Sequence, residues 1–207
     1  MWKRLPVLLL GLAPLVVGCG DDDENPPKEP LSALNGVYPM DSWTRNEMAC
    51  DVEGPSLLEA ASEKLLGVGT TEFFIYDILV AIPCADDQDC ADSVDGGVFA
   101  ALAGGATFGK GQGSDAAGWE SGSFGYTVTD NQCQGRYVKA RLSQVAEGQL
   151  ELVQEGYDVA FPAEAPENAD DRCPLETAQE LAKALPCLSL ERIVGTFARE
   201  LPEPSGD

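Results

Sequence analysis

The side chains able to do chemistry in this 207-residue chain are cysteines and carboxylates; histidine is absent. Without an imidazole there is no Ser-His-Asp or Cys-His catalytic unit and no His-bearing zinc site. Seven cysteines stand at 19, 50, 84, 90, 133, 173 and 187. No C-x-x-C occurs, and Cys84 and Cys90 are too widely spaced for the paired knuckles of a cysteine zinc site, so no metal is expected. The 35 acidic residues suggest further chemistries. Asp86, Asp87, Asp89, Asp92 and Asp95 crowd one short stretch, and Asp87-Gln88-Asp89 opens like a calcium-binding loop. The required glycine is absent, and Val98 stands where the bidentate glutamate belongs, so the segment reads as a solvated, disulfide-closed acidic turn. Nothing selects two carboxylates as a glycosidase pair. Asp77 interrupts an apolar run; buried, it would be an acid with a raised pKa, and the plainer reading is a solvent-facing or hydrogen-bonded strand position. Gly104-Gly105-Ala106-Thr107-Phe108-Gly109-Lys110-Gly111 has the G-x-x-x-x-G-K spacing of a phosphate-binding loop. Gly111 occupies its Ser/Thr position and the following residues start a helix poorly, so residues 104–122 read as a flexible connecting loop. No catalytic residue and no cofactor is assigned, and a non-enzymatic role is expected.

The elements that would position these residues are mainly strands. Gly36-Val37-Tyr38 through Trp43 and Arg45 reads as a first strand ending near Cys50. Ser56-Leu57-Leu58-Glu59 has the form of a capping box, predicting a short helix with Leu58, Ala61 and Leu65 on one face and a stop at Gly67. Residues 73–82 are apolar, β-branched or aromatic, predicting one strand covered on both faces. Phe124, Tyr126 and Val128, then Val138, Ala140 and Leu142, then Leu150 and Leu152, alternate with polar or small residues as consecutive half-buried strands of an antiparallel meander. Leu150 and Leu152 are even-numbered, whereas Tyr157, Val159 and Phe161 are odd, and the intervening Gly156 reads as a bulge. Pro174, Leu175, Ala178, Leu181, Ala182 and Leu185 form an amphipathic helix ended by Pro186. Residues 188–201 fit either a helix stripe or a strand, with the strand preferred. One domain is expected from the length. The fold class is thus mainly β, an antiparallel meander with one or two short helices, braced by disulfides.

The N-terminus carries an address. Lys3 and Arg4 precede an apolar run, residues 5–17, followed by a small residue and Cys19, which is the layout of an export signal. The run is shorter than the roughly 20 apolar residues of a membrane span and contains Pro6, Gly11 and Pro14. Val16-Val17-Gly18-Cys19 resembles a bacterial lipobox, which implies that Cys19 is joined to diacylglycerol before signal peptidase II cuts ahead of it. The expected organisation is a signal peptide over 1–18, an acidic, proline-rich, disordered tether over 19–33, a single mostly β domain over 34–201 and a disordered tail over 202–207. Removing Lys3 and Arg4 takes the net charge from −22 to −24, so the anchor must be lipid rather than charge, and nucleic acid is a poor partner. Gly20 after the lipidated cysteine implies the outer membrane in the enterobacterial sorting scheme. The acidic cluster after it resembles surface-export tethers, leaving a periplasmic or a surface orientation open. The chain as a whole resembles cysteine-bearing lipoproteins of myxobacterial type. The order of its elements, with Gly36-Val37-Tyr38, faintly resembles the lipocalin-like barrels, which implies a barrel that could hold a small apolar ligand.

With Cys19 lipidated, six cysteines remain, an even set suited to three disulfides in an oxidising compartment. Cys84 and Cys90 flank a short polar loop and need only a turn to pair. Cys173 and Cys187 bracket a helix whose ends lie roughly 17 Å apart, beyond the ~7 Å reach of a bridge. That leaves Cys50 and Cys133 as their partners in two possible ways. A final strand closing antiparallel on the first favours Cys50 with Cys187 and Cys133 with Cys173. The expected function is a lipid-anchored envelope binding or interaction module, either with a filled core or with a hollow barrel lined by residues such as Phe73, Tyr126 or Val138.

Overall fold

The computed structural model describes residues 31–97, 99, 104–164 and 172–205; the segment expected to be a signal peptide, Cys19 with its expected lipidation, and most of the expected tether lie outside them. The strands are β1 (Gly36–Asn46), β2 (Leu65–Phe73), β3 (Tyr76–Cys84), β4 (Ala106–Gly109), β5 (Gly113–Ser114), β6 (Gly118–Thr129), β7 (Gln132–Ala146), β8 (Gln149–Pro162) and β9 (Ser189–Thr196), with helices α1 (Asp87–Asp95) and α2 (Leu175–Ala182). The strands form one antiparallel sheet in the order β4, β3, β2, β1, β9, β8, β7, β6, β5, curled into a nearly closed barrel. The backbone links Gln112 N–H to Gly109 O and Glu120 N–H to Gln112 O where the two edges meet.

Inward residues from β1 to β4 and β6 to β9, among them Leu66, Leu79, Phe108, Trp119, Leu142, Leu152 and Ile193, fill the barrel with one apolar cluster. Two smaller cores lie on its outer surface. Under α1, Val94 meets Ile78, Val80 and Ile82. Under α2, Ala178 and Ala182 cover Tyr137, Val159 and Phe161.

The second outer core explains the change of phase in β8. No bulge occurs at Gly156, which pairs in uninterrupted register with Val138 and Ser189. Leu150 and Leu152 fill the barrel, whereas Val159 and Phe161 face outward beneath α2, so the buried face changes while the pleat does not. Likewise Phe124 stacks on Phe161 at 5.7 Å outside the barrel, opposite to Ala140 and Leu142. The register shift in this hairpin falls instead between Gln144 and Ala146.

Other local expectations are corrected. No helix forms after Ser56: Thr44 bridges to Ser56, Leu57 N–H bonds Trp43 O, and Leu65 already belongs to β2, with Gly67 inside it. Only one turn remains, Ala60 and Ala61 N–H donating to Leu57 O, because pairing along β3 outweighs a cap worth about 1 kcal/mol. Residues 73–82 are not one strand. Phe73 ends β2, Phe74 and Ile75 form a two-residue turn, and β3 begins at Tyr76, whose segment from Ile78 to Ile82 is buried on both faces. Residues 104–122 are not a flexible loop, since they supply β4, β5 and the start of β6, with Phe108 and Trp119 buried. The acidic turn is a helix: Asp86 caps it by accepting from Asp89 N–H at 2.9 Å, and Asp87 and Asp89 favour its N-terminal dipole. Residues 188–201 contain the strand β9, as preferred, between β1 and β8.

The three disulfides are Cys50–Cys187, Cys84–Cys90 and Cys133–Cys173, the arrangement the closing-strand argument favours. Cys50–Cys187 ties the chain beyond β1 to the start of β9, and Cys84–Cys90 ties β3 to α1.

Residues given to the tether and the tail at either end of the domain are in part pinned to it. Ser32 Oγ donates to Asp115 Oδ1 at 2.6 Å and Ala33 N–H to Asp115 Oδ2 at 2.8 Å, while Trp119 Nε1 donates to the same carboxylate at 2.9 Å. Below them Tyr38 is buried, which pushes its phenol up to about 12, with Asp115 adding to the effect. At the other terminus Ser205 donates its N–H at 2.7 Å and its hydroxyl at 2.8 Å to Asp92, and Arg199 pairs with Asp87. Ser205, with help from Gln88, lowers the Asp92 carboxyl below its usual 3.8, and Arg199 does the same for Asp87. A depressed folded-state pKa contributes stability that is present above the ordinary carboxylate value and lost as pH falls through the depressed one. Acidification below about pH 4 should therefore detach residues 203–205 while the barrel persists. The Ser205 amide should lose its downfield shift and exchange protection together. An unchanged Ser205 amide through that titration would show that these carboxylates do not hold the tail.

Candidate functional site

The barrel interior is layered, and the register shows where its chemistry changes. One inward row runs across the strands as Leu142, Leu152, Ile193 and Trp43, and is apolar. Two residues further from the tether, the next row runs Ala140, Gln154, Glu191 and Arg45, and the one beyond it includes Val138, Gly156 and Ser189. The barrel is thus filled with hydrocarbon at the end where Asp115 gathers Ser32, Ala33 and Trp119, and polar at the other.

Glu191 organises this polar mouth. It is 16% exposed. Its Oε1 accepts from Trp43 Nε1 at 2.6 Å, and its Oε2 accepts from Arg45 Nε at 3.0 Å and Nη2 at 2.8 Å. Both oxygens are thereby engaged. Gln154 Nε2 reaches across the rim to Gly104 O at 3.0 Å. Arg136 Nη2 donates to Ser189 Oγ, and among the described residues it has no carboxylate partner, unlike Arg45. Gly156 gives close approach here rather than a bulge: a Cβ on it would lie 2.6 Å from Arg136 Nε and closer still to Ser189 Oγ, so those side chains would have to move.

These side chains surround an open depression of about 380 Å³, lined by Arg45, Glu47, Arg136, Val138, Gln154, Gly156, Ser189 and Glu191. A second, of about 350 Å³, continues from Arg45 and Glu191 toward β3 and α1, where Glu63, Pro83 and Asp89 line it. Arrangements of this kind bind polar groups: a guanidinium fork, an amide and a hydroxyl converge, and a carboxylate or phosphate matches the fork.

Of the residues expected to line a hollow barrel, Val138 lines the open depression at the polar mouth instead. Phe73 packs outside the barrel against the core under α1, and Tyr126 is 41% exposed on the outer face. Asp77 is half-buried near the tip of the β2–β3 hairpin, opposite Glu72, far along the barrel from the mouth. The G-x-x-x-x-G-K segment forms no phosphate cradle, because its backbone from Ala106 to Gly109 pairs with β3. The acidic residues near Cys90 cap α1 and hold the C-terminal segment. Sequence reasoning missed Arg45, Arg136, Gln154, Ser189 and Glu191 as a group, since they lie on four strands and only the register unites them.

The chain matches no protein-family model, no curated protein and no solved structure.

Proposed function

We propose that this protein is a lipid-anchored cell-envelope lipoprotein whose barrel is a non-enzymatic binding module, with the polar mouth as its recognition surface. The address rests on the signal-like segment, residues 1–18, and Cys19, and three disulfides suit an oxidising compartment. The observation that carries the binding reading is the switch of inward residues from the filled apolar core to the Gln154, Glu191, Arg45 and Arg136 layer around an open depression. A core packed with Leu66, Leu79, Phe108 and Ile193 favours the filled module over a hollow barrel for an apolar ligand. Binding is favoured over proton-transfer chemistry because both oxygens of Glu191, which is mostly enclosed, already accept hydrogen bonds. The ligand class is a polar molecule or protein segment presenting a carboxylate or phosphate to Arg136.

Titration of the protein with acetate and with inorganic phosphate tests this by NMR. Saturable shifts are expected at Arg136 Nε–H, the Ser189 amide and the Gln154 side-chain amide. Arg136→Ala should weaken the effect at least tenfold, and Gly156→Ala, which intrudes on Arg136, should weaken it without removing the charge. Stoichiometric binding of a fatty acid, with no response at the mouth, would overturn the reading in favour of a hollow apolar-ligand barrel.

A further inference from the structure

The end of the barrel opposite the polar mouth carries the most exposed apolar cluster among the described residues. Phe73-Phe74-Ile75-Tyr76 crosses from β2 to β3 by a two-residue turn, and Phe74, Ile75 and Tyr76 are 83%, 75% and 66% exposed. Phe74 holds φ at +56°, a left-handed position that hairpin turns ordinarily give to glycine or asparagine and that is strained for a bulky side chain. The local rule is broken to present a ring to solvent, whose one ring contact among the described residues is with Phe73 at 4.6 Å. Phe99 is exposed as well, two residues beyond Gly97, which abuts Thr71 and Ile78 on the same side.

The N-terminal segment leaves the barrel at this same end. Gly36, the first residue of β1, pairs with Val68, Asn35 Oδ1 accepts from Thr70 N–H at 3.1 Å, and Ser32 and Ala33 bond Asp115, so the chain before β1 crosses this end of the barrel, the end from which the β2–β3 tip projects. Residues 19–30, the twelve preceding the described chain, span at most about 40 Å when extended. A lipid on Cys19 would therefore confine this end of the barrel to the neighbourhood of the bilayer and raise the local concentration of any second, weaker contact.

We infer that the Phe74-Ile75-Tyr76 tip inserts into the interface of the bilayer that holds the lipidated Cys19, setting the barrel upright with its polar mouth directed away from the membrane. The inference rests on the lipid-anchor reading. The surface it fits is zwitterionic, because Glu72 and Asp77 flank the tip and the chain without Lys3 and Arg4 carries −24 rather than the −22 of the full sequence, which disfavours anionic lipid. An aromatic and aliphatic wedge ending in a tyrosine suits the boundary between headgroups and acyl chains.

The test uses the full chain, matured and reconstituted into phosphatidylcholine and phosphatidylethanolamine vesicles containing brominated acyl chains. Phe74→Trp should be strongly quenched by the bromine, and Tyr126→Trp, at the far end, should not. Phe74→Ser with Ile75→Ser should leave the protein anchored but raise amide exchange of residues 71–78 at least tenfold over the anchored parent. A protein that stays anchored with its Phe74→Trp fluorescence unquenched overturns the tip contact and leaves the anchor reading intact. A chain that does not remain with the vesicles overturns the anchor and the tip contact with it. Sedimentation of the detergent-solubilised protein as a dimer that Phe74→Ser with Ile75→Ser makes monomeric would assign the tip to a second copy and likewise overturn the inference.

Discussion

Replacing Cys50 and Cys187 together by alanine is expected to destabilise the protein more than removing either other bridge. The three bridges join residues 137, 40 and 6 positions apart for Cys50–Cys187, Cys133–Cys173 and Cys84–Cys90. On the loop-closure account, the entropy removed from the unfolded chain is worth about 5, 4 and 2.4 kcal/mol in that order. The largest of these is comparable with the whole stability of many domains, about 5–15 kcal/mol. The position adds to the effect, because this bridge secures β9, the strand between the β1 and β8 edges through which the two halves of the sheet meet. Urea unfolding of the three double variants should give midpoints in the reverse order of loop length. A greater loss on removing Cys84–Cys90 would show that local geometry, not chain closure, governs the contribution.

Phe108→Ala should be the most damaging single substitution in the segment that joins the barrel's edges. Phe108 is fully buried in β4, a strand of only four residues, and packs in the same cluster as Leu79, Trp119 and Leu142. Truncating a buried phenylalanine costs about 3–5 kcal/mol, part of it from the cavity left behind. Neighbouring side chains could fill that cavity only by pulling β4 from β3, which pairs with it from Ile78 to Ala81. Tyr126→Ala, on the exposed outer face, should cost less than about 1 kcal/mol and serves as the comparison. Equal losses from the two would mean that residues 106–109 are not part of the core.

What was legible in the chain follows from how far each signal reaches. Period-two alternation is local, so β6, β7 and β8 could be read directly; residues 188–201 fitted a helix stripe as well, and the preference for a strand there favoured Cys50 with Cys187 and Cys133 with Cys173, while Cys84 with Cys90 followed from the short loop between them. Alternation does not say which face meets which core. Phe124 and Leu142 both look like core residues, and they occupy opposite faces because α2 covers one side of the meander and the barrel the other. The same division made Gly156 look like a bulge when its task is to leave room for Arg136. Capping patterns misled in both directions: Ser56 to Glu59 has the form of a helix start but is drawn into the sheet, while Asp86 to Asp89, which resembles a cation loop, caps a helix. Glycine-rich composition concealed β4 and β5, whose pairing depends on β3 and β6. The mouth was least legible. Arg45, Arg136, Gln154 and Glu191 are ordinary polar strand residues until the register places them in adjoining rows, and only Val138 was marked in advance.

On the proposed reading the apolar tip and the polar mouth take their orientation from a lipid on Cys19, so the most direct measurement concerns that residue. Protein purified from native membranes without reductant should be digested and the mass of its N-terminal peptide determined. The account predicts a peptide that begins at Cys19 and carries diacylglyceryl and acyl groups, and predicts that Cys19→Ser yields either released protein or an uncleaved precursor. An N-terminal peptide that begins elsewhere or is unlipidated, with Cys19→Ser remaining in the membrane fraction as before, would contradict it.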